Sequence, residues 1–152
     1  MKKIETPDQL LNLAVGFQKS QTLFTFVKLK IPKILQNENL NAPDVARRVK
    51  IHPLAMERFL NACVAVGLLE KTDEFYSNTE FTNKFLIKES ELYLGGQMRR
   101  YQKRSYPQWK NLTEHLRNWE YGETAEKNPD AEDQGAEAMA EQHQLALIHG
   151  YK

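Results

Sequence analysis

Four histidines, one cysteine and seven glycines are the residues of this 152-residue sequence best suited to organise chemistry, and their spacing argues against it. A metal ion or a general base needs its ligands on one face. His52 opens an expected helix and His115 stands alone. His143 and His149 are six apart, which puts them on different faces of a helix. No HxxxH or HExxH spacing occurs and Cys63 joins none of them, so no metal site is expected. Cys63 lies on an apolar helix face without an activating base and reads as a small core residue. The glycines form neither GxGxxG nor a P-loop, and no alternation of strands and helices suggests a doubly wound nucleotide fold. No catalytic, cofactor-binding or metal-binding residue is expected.

One basic cluster remains: Arg99, Arg100, Lys103, Arg104 and Lys110, interleaved with Tyr101, Tyr106 and Trp109. Such a set could neutralise phosphates and stack on bases. The same aromatics also fit a helical packing stripe, with arginines beside them stabilising a helical interface, and that reading is preferred. A net charge of +1 hides an asymmetry. Residues 120–141 carry eight acids (Glu120, Glu123, Glu126, Asp130, Glu132, Asp133, Glu137, Glu141) against Lys127, a balance of −7. Residues 1–119 therefore carry +7, and Lys152 supplies the last charge. The acidic run reads as a solvated linker behind a mildly basic domain.

The elements that position these residues are mostly helical. Thr6, Pro7 and Gln9 open a first helix with a capping box and a proline in its first turn. Leu10, Leu13, Ala14, Phe17, Gln21, Phe24 and Val27 continue it as one stripe, with Leu11, Val15, Leu23 and Phe26 off the stripe. A helix apolar on more than one side needs more than one partner surface, which suggests a second subunit. Ile31–Leu35 reads as a short helical turn. Asn41 then caps a helix to Val49, Lys50-Ile51 turns, and His52-Pro53 starts another with Leu54, Phe59, Leu60, Cys63 and Val64 inward, ended by Gly67. Leu68–Lys71 and Phe75–Ser77 flank the polar tip Thr72–Glu74 as a hairpin. A helix-turn-helix followed by a hairpin is a winged helix. Thr79 caps a short helix, and a helix from Glu91 breaks at Ser105–Pro107. Trp109, Leu112, Leu116 and Trp119 form one further stripe, and a last helix is expected from Ala136. The domain division expected is 1–120, winged helix, and 121–152, acidic linker and C-terminal helix.

A winged helix invites a test for DNA binding. A reading helix presents Arg, Lys, Asn or Gln to base edges from its first turns. Here those positions are Pro53, Leu54, Ala55, Met56 and Glu57, with Arg58 next. Residues 42–78 hold five acids (Asp44, Glu57, Glu70, Asp73, Glu74) and five bases (Arg47, Arg48, Lys50, Arg58, Lys71), which sum to zero. A segment with no net charge draws little affinity from phosphates, so no nucleic-acid partner is expected. No run approaches the ~20 apolar residues of a membrane span, and the N-terminus has no signal-peptide core. A single cysteine excludes an intrachain disulfide, and a cytoplasmic location is expected.

Several phrases, in order, resemble the N-terminal dimerisation domain of small-molecule S-adenosylmethionine-dependent O-methyltransferases. They are Leu13-Ala14-Val15-Gly16-Phe17, Asn41-Ala42-Pro43-Asp44-Val45-Ala46, and His52-Pro53 through Arg58-Phe59-Leu60 to Val66-Gly67-Leu68-Leu69-Glu70. Tyr76-Ser77-Asn78-Thr79 follows, then Tyr93-Leu94-Gly95-Gly96, Tyr106-Pro107-Gln108-Trp109 and Leu112-Thr113-Glu114. The resemblance implies a mainly α, winged-helix fold with extra N- and C-terminal helices that form an intertwined homodimer. It makes the first helix and the Trp109 stripe the dimer interface (Leu10, Phe17, Phe24, Trp109, Leu112, Leu116). It also makes Phe17, Met98 and Tyr101 candidate lining of a pocket for a small-molecule acceptor substrate.

In that family the methyl donor is held by a following Rossmann-like domain with a glycine-rich turn after its first strand, and the catalytic histidine lies there too. This sequence holds none of it before Lys152, so S-adenosylmethionine is expected only if a C-terminal domain follows, and the chain reads as a fragment or a freestanding relative. Two other functions stay open on the residues. One is a freestanding winged-helix regulator that binds DNA through Arg99–Lys110. The other is a freestanding dimeric adaptor or small-ligand binder.

Overall fold

The structure, a computed structural model, describes residues 3–118. It divides into two units, Met1–Asn83 and Lys84–Lys152, each described by itself below. The expected boundary after residue 120, the helix expected from Ala136, and Trp119 lie outside the described residues.

In the first unit α1 (Pro7–Ala14) starts on the expected capping box. The Thr6 hydroxyl accepts from the Gln9 amide at 3.3 Å, and Gln9 Oε1 accepts from the Thr6 amide at 3.3 Å. The single long helix expected from Pro7 is two. At Val15 the backbone leaves helical geometry (φ −92°, ψ 3°), and α2 runs Gly16–Lys28. A β-branched residue followed by glycine is a weak point in any helix, and here nothing buried holds it. After the short α3 (Ile31–Ile34), β1 (Leu40–Asn41) leads into α4 (Ala42–Val49). Asn41 Oδ1 caps α4 by accepting from the Asp44 amide at 2.9 Å.

Helix α5 (Pro53–Ala65) follows a turn at Lys50, and His52 Nδ1 caps it by accepting from the Leu54 amide at 3.2 Å. Its end is a Schellman turn: Gly67 takes φ +79°, while Leu68 N–H donates to Cys63 O and Gly67 N–H to Val64 O, both at 2.9 Å. Strands β2 (Leu69–Thr72) and β3 (Phe75–Asn78) form the expected hairpin. The sheet has a third strand that periodicity did not reveal, because β1 pairs antiparallel with β3 in the order β1-β3-β2. Helix α5 packs against α4, α2 and β2. Phe26, Val45, Met56, Leu60, Cys63 and Tyr76 are wholly or almost wholly buried there. Two assignments on α5 change. Leu54 is 51% exposed, and Met56, placed in the sequence on the reading face, is in the core. The phase of the helix follows from the elements packed against it, α4, α2 and β2, which bring position 56 inward with Leu60 and Cys63.

Helix α6 (Glu80–Leu86), capped by the Thr79 hydroxyl, crosses into the second unit. There the chain turns through Ser90, whose hydroxyl donates to Lys84 O at 2.5 Å, and Leu94 N–H donates to Phe85 O at 2.7 Å. Helix α7 (Gly95–Arg100) therefore begins later than the expected Glu91. Gly95 lets the Tyr93 ring lie against the backbone, where a Cβ would collide with it. The break expected at Ser105–Pro107 is instead a widened π-helical turn, Tyr101–Ser105, that runs into α8 (Tyr106–Lys110). Pro107 has no N–H and its ring crowds the carbonyl of residue 103, and the wider turn absorbs both without leaving helical backbone. The chain bends at Asn111 (φ −102°, ψ 18°) before α9 (Leu112–Arg117).

Candidate functional site

In the first unit the candidate surface is α1 and the start of α2. No residue of α1 is buried. Leu10, Leu11, Leu13 and Phe17 are all more than half exposed, Leu13 by 66%. A helix of eight residues does not hold its shape in water by propensity alone, so α1 calls for a covering surface. Leu11 and Leu13 carry this exposure as fully as the interface candidates Leu10 and Phe17. In the sequence Leu13 lies on the same stripe, and Leu11 is one of the off-stripe residues that make the helix apolar on more than one side. Phe24 differs from Leu10, Leu13 and Phe17 earlier on the stripe: like Val27 it is buried, 7% exposed, and packs within its own unit.

In the second unit α8 and α9 repeat the pattern. Trp109 is 70% exposed, and Leu112 and Leu116 are exposed beside it in sequence register. Of the candidate pocket residues, Phe17 and Tyr101 are exposed and Met98 is half-buried. Phe17 belongs to the first unit, Met98 and Tyr101 to the second.

The face that a DNA reader would present is a cleft of about 320 Å³ whose lining includes Pro53, Leu54, Glu57, Lys71, Glu74 and Tyr76. Its one base is already engaged. Lys71 Nζ stands 4.9 Å from the Tyr76 ring centroid and donates to Asn61 Oδ1 at 3.2 Å. The Tyr76 hydroxyl donates to the same oxygen at 2.8 Å. Hydrogen bonding towards Tyr76 holds the Lys71 pKa above its ordinary value, and Glu57 and Glu74 add to the effect.

Among the described residues no group of three or more His, Cys, Asp or Glu is placed to hold a metal ion. No helix among them is long and apolar enough to cross a membrane. Cys63 is buried, and burial alone pushes its thiol up to about 12, the state of a packing residue and not of a nucleophile.

The family model for the O-methyltransferase dimerisation domain covers residues 11–88, and the chain belongs to that family. A human probable bifunctional dTTP/UTP pyrophosphatase/methyltransferase protein is 44% identical over 91 residues, 59% of this chain and 15% of its own length. The Streptomyces glaucescens tetracenomycin polyketide synthesis 8-O-methyl transferase is 33% identical over 118 residues, 77% of this chain and 35% of its own. Human N-acetylserotonin methyltransferase, solved in complex with SAM, superposes with a TM-score of 0.68 at 27% identity, covering 78% of this chain and 36% of that one. The chain thus spans about a third or less of the relatives it matches.

Proposed function

We propose that this chain is the homodimerisation and acceptor-pocket-covering part of a SAM-dependent O-methyltransferase, with α4, α5 and the hairpin acting as a winged helix that packs against protein and does not read DNA. The observation that carries the reading is α1: a properly capped helix with no buried residue, whose leucines face solvent. In the intertwined dimer Leu10, Leu11, Leu13 and Phe17 pack on the second copy, and so do Trp109, Leu112 and Leu116. Phe17, Met98 and Tyr101 then line the acceptor pocket, and the methyl donor is bound by a separate catalytic domain. A protein role for the winged helix is supported by its first turns, where Leu54 is exposed, Met56 is buried and Glu57 borders a cleft whose only base is engaged. The buried lone thiol suits a reducing cytoplasm.

The test is capture between two differently tagged copies of the chain. Co-expressed wild-type copies should co-purify, and Leu13→Asp should abolish capture while leaving helical content near that of the wild type. Capture undiminished by Leu13→Asp would remove α1 from the interface.

A further inference from the structure

The basic cluster on the second unit is left over by this function. The backbone is helical from Gly95 through Lys110, and that stretch contains no Asp or Glu. Arg99 and Lys103, and likewise Arg100 and Arg104, are one turn apart, and Lys110 falls seven beyond Lys103. Arg99, Arg100, Lys103 and Arg104 fall within six residues of one another, Lys110 follows beyond the π-helical turn, and all five are exposed. Beyond Asn118 the same chain carries the counter-charge, a balance of −7 over residues 120–141.

We propose that this cluster is the docking surface for the chain's own acidic stretch, residues 120–141. The reach suffices. From Arg117 back to Lys103 is about 20 Å at the rise of a helix, and eight residues of chain span up to about 27 Å. Tethering favours this occupant over a free polyanion, because a segment linked this closely is present at an effective concentration in the millimolar range. Each exposed ion pair contributes little. Several acids opposite five bases act together, and the sum is sensitive to salt. The docked stretch would cover the basic cluster that could otherwise neutralise phosphates.

The experiment is zero-length carbodiimide cross-linking of the full chain with peptide mass mapping, since Lys103 and Lys110 can form amides with nearby carboxylates. The expected result is cross-links from Lys103 and Lys110 to carboxylates of 120–141, several-fold above those from Lys28 and Lys33, and lost at high salt. Reversing neighbours by Arg99→Glu with Arg104→Glu should weaken them several-fold, with circular dichroism unchanged. Adding Glu132→Lys with Asp133→Lys should restore them in part. An equal yield to Lys28 and Lys33, or no response to charge reversal, would overturn the proposal. Mixing isotopically light and heavy chains separates the sources, and products only between copies would assign the cluster to a second molecule instead. Duplex DNA or anionic vesicles displacing the cross-links at equimolar concentration would assign it to a polyanion, again against the proposal.

Discussion

The side-chain amide of Asn78 donates to the carbonyl oxygen of Pro32 at 2.7 Å, tying the end of β3 to α3 across 46 residues of sequence. The same nitrogen donates to Asn83 Oδ1 at 2.9 Å, and the residue is buried. A buried carbonyl that loses its donor is not resolvated. Asn78→Leu should therefore cost about 1–3 kcal/mol in urea denaturation. Asn78→Asp should cost more, because its carboxylate would face two acceptors. Unchanged midpoints would show that water replaces the bond.

Gly67 ends α5 at φ +79°, and a methyl group there would meet open space. The cost of Gly67→Ala is then the backbone's alone, about 1–2 kcal/mol. Gly67→Asn should cost less, since asparagine tolerates this conformation better. Both follow from chemical denaturation.

Burial raises the Cys63 thiol from its ordinary value near 9 to about 12. Above pH 9 the unfolded chain has released a proton that the folded chain still holds, so protons bound in the unfolded state fall below those in the native state. The contribution of Cys63 to stability is complete below pH 9 and is lost as pH rises towards 12. At pH 8 an aromatic disulfide reagent should label Cys63 only as fast as the chain opens, and at once in denaturant. Rapid labelling of native protein would contradict the buried thiol.

The family resemblance makes both Phe24 and Trp109 interface residues, and their exposures of 7% and 70% separate their roles. Phe24→Ala should lower unfolding stability by roughly 3–5 kcal/mol through the cavity it leaves. Trp109→Ala should leave the folding of each chain intact and weaken association roughly tenfold or more, as loss of a large aromatic anchor does. Denaturation and concentration-dependent sedimentation distinguish the two.

The contrast also marks what the sequence made legible. Helix starts and stops were readable because they are local: Thr6 with Gln9, Asn41 with Asp44, His52 before Pro53, and Gly67 each act within a few residues. The β1 strand was not, because two residues carry no period and their partners, Tyr76 and Phe75, come from the far side of two helices. Met56 and Leu54 exchanged places because both are apolar and only the packing of α5 against α4, α2 and β2 decides which faces in. For the candidate surface, periodicity placed Leu10, Phe17 and Phe24 on one stripe. It could not tell where along that stripe the chain's own core ends, and the bend at Val15 lies between them. The dimerisation family itself was legible through the order of several phrases, each of them individually weak.

The most direct test of the central claim is the mass of the chain by sedimentation equilibrium from submicromolar to tens of micromolar concentration. The account predicts a species of twice the chain mass that dissociates on dilution, and Leu13→Asp should remain monomeric throughout. A folded wild-type monomer at every concentration would contradict it.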